Sequence, residues 1–384
     1  MNKKVILPIL VIAIIVLGVA WYYMAGRTYP GAPQTSQTSP SPTYTSPTPT
    51  SPPLNVVLNG GGSTLQAPLV QYWARLFQEE TGVQVNYQGV GSGAGISMFL
   101  AGTTDFAGSD VPLPHDVYKN YEGRVLQLPI TVGVVVVVYN LPELPKEVHL
   151  NITGCLLAEI LGGNVTRWDD PAIKSLNPAV ADKLPDKDIV VVYRSDKSGT
   201  TNILTTYLSR SCPSLWPSNL VGLSMPTFVT ESSRAIGAKG SDGLTLAVKN
   251  NPYTIGYVEV QYALSSGLQY AALQNREGFF VLPTPNGVSA AVESVIDKLP
   301  SSVRADWSQS SSEVIYAPGN NSYPLVTFTY QLFWTSYSDK SKQEAVNLWI
   351  RFVLTKGQEK TIEGFHPLPQ RLVSELLNSL TQGA

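Results

Sequence analysis

Residues 55–110 read NVVLNGGGSTLQAPLVQYWARLFQEETGVQVNYQGVGSGAGISMFLAGTTDFAGSD, and their periodicity sets the architecture. VVLN is a short β-rich run. Leu69, Trp73, Leu76 and Phe77 then recur at helical spacing and form one apolar stripe, on a helix that Gly82 can terminate. VQVNYQ follows as a strand, GVGSGAG as a turn, ISMFLAG as a short helix ending at Gly102, and DFAGSD as a third strand. A helix between each pair of strands demands crossover connections, so the βαβαβ order predicts a parallel, doubly wound sheet.

The pattern continues outward from this unit. LQLPITVGVVVVVY, Leu126 to Tyr139, is too rich in valine for an exposed helix and reads as one buried strand or two. A second α/β series runs through CLLAEILGG, WDDPAIKSL, IVVVYR and GTTNILTTYL, and TIGYVEV is a further strand. The remainder is mixed α/β, with QEAVNLWIRFVL (343–354) a helix. No short internal repeat occurs. At 384 residues the chain holds two or three domains' worth of sequence.

The N-terminal region differs in kind. Lys3 and Lys4 precede Val5–Met24, twenty residues without a charge, which matches the ~20 needed to span a bilayer as a helix. Residues 1–27 are therefore expected to be a membrane anchor, the basic side staying inside and the rest exported. A cleaved signal peptide ending near Gly18-Val19-Ala20 is the alternative, but Trp21-Tyr22-Tyr23 favours an interfacial belt. No cysteine follows the apolar run to carry a bacterial-type lipid. Residues 28–54 are rich in Ser, Thr and Pro and uncharged, so they cannot bury enough apolar surface to fold. As extended polyproline at ~3.1 Å per residue they would make a stalk of up to roughly 80 Å.

Composition narrows the function. A net charge of −2 argues against a nucleic-acid partner. Cys155 and Cys212 have no close metal-ligand spacing; they are either one disulfide, if the protein is exported, or two buried thiols. Asn151, Asn164 and Asn320 begin glycosylation sequons, which agree with export. His115, His149 and His366 form no cluster, and neither a G-x-S-x-G elbow nor a Walker loop is present. GVGSGA fits a loose dinucleotide fingerprint, but no ribose-binding acid is placed for it. No catalytic residue, metal or cofactor is expected.

Three strand-to-helix junctions share one chemistry: GGGSTL (60–65), GVGSGAG (89–95) and RSDKSGTTN (194–202). The first N–H groups of a helix lack intrahelical partners and carry the positive end of the dipole. Glycine admits an anion to the backbone and a Ser or Thr hydroxyl adds a donor. Each turn alone would pass as ordinary capping; three of them, with Arg194 beside one, indicate an anion site. Asp196, two residues on, can hold the guanidinium while leaving other donors free. Asp110 would repel an anion unless that anion carries a proton, in which case the carboxylate accepts it. Sulfate offers no such proton.

These stretches, with GGNVTRWDDPAIKSLNP, TIGYVEVQYAL and the late YPLVTFTY, resemble the phosphate-binding proteins of phosphate ABC transporters, of the type 2 periplasmic-binding-protein class. The resemblance runs from about Asn55 to Leu377. It implies two α/β lobes, each a doubly wound sheet, joined by two crossover strands, with lobe one spanning 55–139 plus 256–384 and lobe two 140–255. It also implies a buried interlobe anion contacted by Thr64, the N–H of Leu65, Ser92, Asp110, Arg194, Ser198, Gly199 and Thr200, with Asp196 orienting the arginine and closure by hinge motion.

Two departures stand out. Thr64-Leu65-Gln66 occupies a place that commonly reads Thr-Phe-Pro, and Lys197 a place that is often glycine. The expectation is a tethered, extracytoplasmic, monomeric receptor that captures inorganic phosphate and hands it to ABC permease subunits. Binding of sulfate, molybdate or tungstate, a phosphatase using Ser92 or Ser198, and a sensor or adhesion role are the alternatives.

Overall fold

In the computed structural model, residues 54–381 are described apart from 309 and 311. The expected anchor or signal segment (1–27) and the Ser/Thr/Pro stretch through residue 53 lie outside the described residues. Among the described residues, no helix is long and apolar enough to cross a membrane.

Eight strands carry the architecture: β1 (Val57–Gly62), β2 (Gln84–Gly89), β3 (Phe106–Ser109), β4 (Val125–Tyr139), β5 (Val190–Arg194), β6 (Ala235–Ala238), β7 (Thr254–Glu259) and β8 (Val326–Trp334). Their order in the sheet is β2-β1-β3-β8-β4-β7-β5-β6. β1 lies between β2 and β3, parallel to both, as the crossover argument requires. β5 is likewise parallel to β6 and β7. The sheet is nonetheless mixed, because β8 inserts antiparallel between β3 and β4, and β4 runs antiparallel to β7.

The valine-rich run is one strand. All fifteen residues of β4 are buried; its first part pairs with β8 and its last five residues with β7. β4 thus passes from one half of the sheet to the other. It carries one irregularity, where the ladder to β8 skips Ile130 between the pairs Thr329–Thr131 and Tyr330–Pro129. Proline cannot donate to a ladder, and a bulge beside it absorbs the mismatch.

Helix Ala67–Thr81 buries Leu69, Val70, Trp73, Ala74 and Phe77 and ends at Gly82, whose φ of 75° closes the last turn. Its core face meets helix Lys340–Leu354, where Phe77 lies edge-on to Trp349 at 5.2 Å. The opposite face of the same half-sheet is covered separately: Phe99, Leu113, Tyr118 and Leu332 form a second, smaller apolar cluster. This half is therefore doubly wound.

GVGSGAG is not a free turn. The helix begins at Ser92 rather than near Ile96 and runs to Leu100. Gly91, at φ 92°, makes the bend into it, and a β-carbon on Gly95 would meet the Gly62 Cα at 2.4 Å. The glycines let this helix sit directly against β1.

Cys155, at the start of helix Gly154–Gly162, is bonded to Cys212, just past helix Gly199–Ser211. The segment after β7 stays near the second half of the sheet at first: Gln269–Tyr270 pair with Val138–Tyr139, and Ala272–Leu273 with Asn151–Ile152. Asn164 and Asn320 are exposed, whereas the Asn151 side chain donates to the Leu176 carbonyl.

Candidate functional site

The carboxyl ends of the parallel strands converge, and polar side chains collect there, the usual place for a ligand in an α/β sheet. β1 leads into Ser63, Thr64 and Leu65; β2 into Ser92; β3 into Asp110; β5 into Arg194, Asp196 and Ser198; β6 into Ser241; and β7 ends on Glu259. Arg194, Asp110, Glu259 and the hydroxyls Ser63, Thr64, Ser92, Ser198, Thr200 and Ser241 are all buried.

Arg194 is held from one side by a fork. Its Nε donates to Asp196 Oδ1 at 2.8 Å and its Nη2 to Asp196 Oδ2 at 2.6 Å. Parallel charge-assisted bonds of this kind fix the plane of the guanidinium. Nη1 keeps only long contacts, 3.4 Å to Thr200 Oγ1 and 3.3 Å to Ser241 Oγ. Burial lowers the Arg194 pKa, but the Asp196 hydrogen bonds and the nearby Glu259 charge outweigh it, and the net shift is upward. For Asp196, burial acts upward, and the Arg194 bonds, its charge and the Gly240 N–H turn the shift downward. The pair is thus ionised, with cationic donors left over.

Ser198 is the N-cap of helix Gly199–Ser211 and accepts from the Thr201 N–H. The N–H groups of Gly199 and Thr200 are first-turn donors without intrahelical acceptors. Both can face an anion at the helix start.

Asp110 lies opposite. Its Oδ1 accepts the hydroxyls of Ser63 (2.6 Å) and Thr329 (2.8 Å), and its Oδ2 the hydroxyl of Ser92 at 3.2 Å. The directions follow from what else those oxygens hold. Ser63 Oγ accepts from the Leu65 N–H, and Thr329 Oγ1 accepts from Gln66 Nε2 at 2.7 Å, so each hydroxyl has its proton to give to Asp110. Burial pushes the Asp110 carboxyl from 3.8 up to about 6; the Ser63, Thr329 and Ser92 hydroxyls oppose that rise and the Glu259 charge adds to it. The less engaged Oδ2 faces Gly199 across the site, where a β-carbon would come within 2.6 Å of it.

All of the sequence-derived site residues converge, and contacts bridge the two groups. Thr64 Oγ1 meets Ser241 Oγ at 2.7 Å, and the Gly93 N–H donates to the Lys197 carbonyl. Four expected donors already have partners: the Leu65 N–H donates to Ser63 Oγ, the Ser92 hydroxyl to Asp110, the Thr200 hydroxyl to Glu259 Oε1, and the Thr64 hydroxyl shares a bond with that of Ser241 in which either can donate. The Lys197 side chain is exposed, while its Cβ packs on Gly93.

The structure adds Ser63, Gln66, Ser241, Glu259 and Thr329. Gly240-Ser241 after β6 repeats the glycine-hydroxyl pattern of the other turns, and a charged residue ending the apolar run TIGYVEV marks Glu259. Thr329 carries no local signal. The histidines stand apart from this network, His115 paired with Asp306 and His149 bonded to the Tyr270 carbonyl. Among the described residues, no group of His, Cys, Asp and Glu is suited to hold a metal ion.

Comparison with known proteins agrees with this architecture. The PBP superfamily domain matches residues 32–356. The phosphate-binding protein PstS of Methanocaldococcus jannaschii is 35% identical over 339 residues, 85% of this chain and 86% of the relative. PstS of Haemophilus influenzae is 33% identical over 324 residues, 83% and 91% of the two chains. Among solved structures, a high-affinity periplasmic phosphate-binding protein with bound phosphate superposes with a TM-score of 0.64 at 23% identity, covering 83% of this chain and 92% of that one. A putative phosphate ABC transporter substrate-binding protein from Clostridium perfringens gives 0.55 at 18%, covering 82% and 100%. At these identities the structures speak for the fold alone, a two-lobed type 2 periplasmic-binding-protein fold of mixed α/β type. With matches of this extent in sequence, the chain belongs to the PstS phosphate-binding proteins of the PBP superfamily.

Proposed function

We propose that this protein captures inorganic phosphate between its lobes and delivers it to the permease subunits of an ABC importer. The observation that carries the reading is the presence of both Arg194 and Asp110, buried, in one site. The arginine and the helix start supply charge and donors; the carboxylate, whose Oδ2 accepts only the long Ser92 bond, keeps acceptor capacity that a protonated oxyanion can fill and an unprotonated one cannot. Burying such an anion is costly unless many fixed, charge-assisted bonds replace its water. Thr64, Leu65, Ser92, Asp110, Arg194, Ser198, Gly199 and Thr200 are the proposed contacts, and Asp196 the residue that aims the arginine.

The named relatives are binding proteins, and the reading requires no chemistry from this chain. Lobe one is proposed as 55–139 plus 256–384 and lobe two as 140–255, hinged where β4 passes from β8 to β7. The Cys155–Cys212 disulfide supports an extracytoplasmic location. The apolar stretch Val5–Met24 and the following Ser/Thr/Pro run support tethering of a monomer to the cell membrane.

Calorimetric titration of the full chain with phosphate, arsenate, sulfate and molybdate tests the ligand. Phosphate and arsenate should bind, and sulfate at least ~100-fold more weakly, the loss expected when a buried acceptor is left unpaired. Sulfate binding as tightly as phosphate would overturn the reading. Hydrolysis of a phosphate ester by the same sample would point to an enzyme instead.

A further inference from the structure

Lys197 stands between two residues that are fixed to their own bank of the site. On one side the Asp196 carboxylate grips Arg194 and accepts the Gly240 N–H at 3.0 Å. On the other the Ser198 N–H donates to the Leu223 carbonyl at 2.8 Å, and the Ser198 hydroxyl oxygen caps the helix that follows. Pinned at both ends, residue 197 has two groups left over, its carbonyl and its side chain. Both reach the opposite bank, at Gly93.

Gly93 is the second residue of helix Ser92–Leu100, whose N-cap position, Gly91, has no side chain to offer. Its N–H is one of the first-turn donors that a helix cannot satisfy by itself, and it donates to the Lys197 carbonyl at 3.1 Å. A β-carbon placed on Gly93 would lie 2.5 Å from Lys197 Cβ, 3.4 Å from its Cγ and 3.2 Å from its Cδ. The methylene stem therefore runs along the glycine, in the space a side chain would fill. Gly93 is buried although Lys197 itself is exposed; the stem covers the glycine and leaves the ammonium to water, as lysines at a surface do. Ser92, next to Gly93, is buried and donates to Asp110. The covered spot is thus the edge of the anion site.

We propose that the Lys197 stem is a latch that closes over Gly93 once the banks have met around the anion, and that it sets how slowly phosphate leaves. The contact joins residue 197 of lobe two to residue 93 of lobe one, so it forms on closure and must break before the banks part. An interaction present only in the closed form shifts the equilibrium toward that form and acts on release rather than on entry. The methylenes, not the charge, make the contact. A glycine at 197 would keep the carbonyl bond and lose the stem, so the latch belongs to this chain's lysine and not to the turn as such. The inference rests on the phosphate reading and on the lobes proposed with it.

Chasing radiolabelled inorganic phosphate from the full chain with excess unlabelled phosphate tests this, with association measured on the same samples. Lys197→Ala, which removes the stem beyond Cβ, should release phosphate about tenfold faster, as expected for losing roughly two buried methylenes, with little change in association. Lys197→Met keeps an apolar stem without the charge and should release at close to the wild-type rate. Gly93→Ala should also speed release, and adding Lys197→Gly to it, which clears the space, should slow release again. Wild-type release from Lys197→Ala, equal acceleration in Lys197→Ala and Lys197→Met, or no recovery in the double variant overturns the latch and leaves phosphate capture standing. No binding of phosphate by wild type overturns both.

Discussion

Gly199 opens the helix after β5 directly against Asp110, at the end of β3: a β-carbon on Gly199 would lie 2.6 Å from both Cβ and Oδ2 of Asp110 and from Ser92 Oγ. These residues belong to opposite banks of the site, so the absence of a side chain at 199 sets how closely the banks approach. Such a distance lies well inside van der Waals contact, and the Asp110 and Ser92 side chains are buried and held in place by hydrogen bonds.

Gly199→Ala should therefore hold the banks apart while leaving each one folded. Overpacking of this kind costs about 1–3 kcal/mol, or ~10- to 100-fold in phosphate affinity. Titration calorimetry reads the affinity, and scattering should show a more open phosphate-bound form.

The Asp110 carboxyl, pushed up to about 6 mainly by burial, links stability to pH in the anion-free protein. A raised acid pKa stabilises the fold fully below the unfolded value near 3.8, and that contribution is lost as pH rises through about 6. Urea melts from about pH 4 to about pH 7 should show wild type losing ~3 kcal/mol relative to Asp110→Asn, with no further divergence above. Parallel curves would mean that Asp110 is not buried in its ionised form. The same variant should bind sulfate more tightly than wild type does.

Arg194→Lys keeps the charge and removes the fork to Asp196. A point charge on a flexible stem cannot replace two parallel bonds, so binding should weaken by ~2 kcal/mol or more, with Arg194→Ala weaker still. Retained affinity in the lysine variant would show that orientation of the cation is unimportant.

Gln66 stands behind the site, its Nε2 donating to Thr329 Oγ1 and to the Tyr330 carbonyl at 2.9 Å. Gln66→Leu removes both bonds and frees the Thr329 hydroxyl from its directed role toward Asp110. A loss of ~1–3 kcal/mol in stability is expected, with a smaller loss in phosphate affinity. Denaturant melts and titrations on one sample separate the two.

Opening the Cys155–Cys212 bond should lower stability without touching the ligand contacts. The bridge spans 57 residues, and restoring that freedom to the unfolded chain is worth about 2–4 kcal/mol. Melts of Cys155→Ser/Cys212→Ser against wild type read the difference.

Much of this was legible in the chain itself. Helical spacing gave helix Ala67–Thr81 and its stop at Gly82, because a stripe of Leu69, Trp73 and Phe77 has only one regular structure that buries it on one side. The arginine and its partner were legible at Arg194 and Asp196, since residues two apart past a strand end are bound to be near. The helix that starts at Ser92 was not, because Gly93 and Gly95 favour helix only where their missing side chains let another backbone approach.

Local sequence thus determined the strand and helix order, the glycine-hydroxyl turns and one ion pair, because each depends on spacings of a few residues. Tertiary structure decided the rest. Antiparallel insertion of β8 brings Thr329 to Asp110 across 219 positions, and Ser241 reaches Thr64 across 177. Pairing of Cys155 with Cys212, and arrival of Glu259 beside Thr200, likewise depend on how the sheet is ordered. No local pattern encodes such meetings, since they follow from the long-range register of strands whose own residues specify only that they are buried.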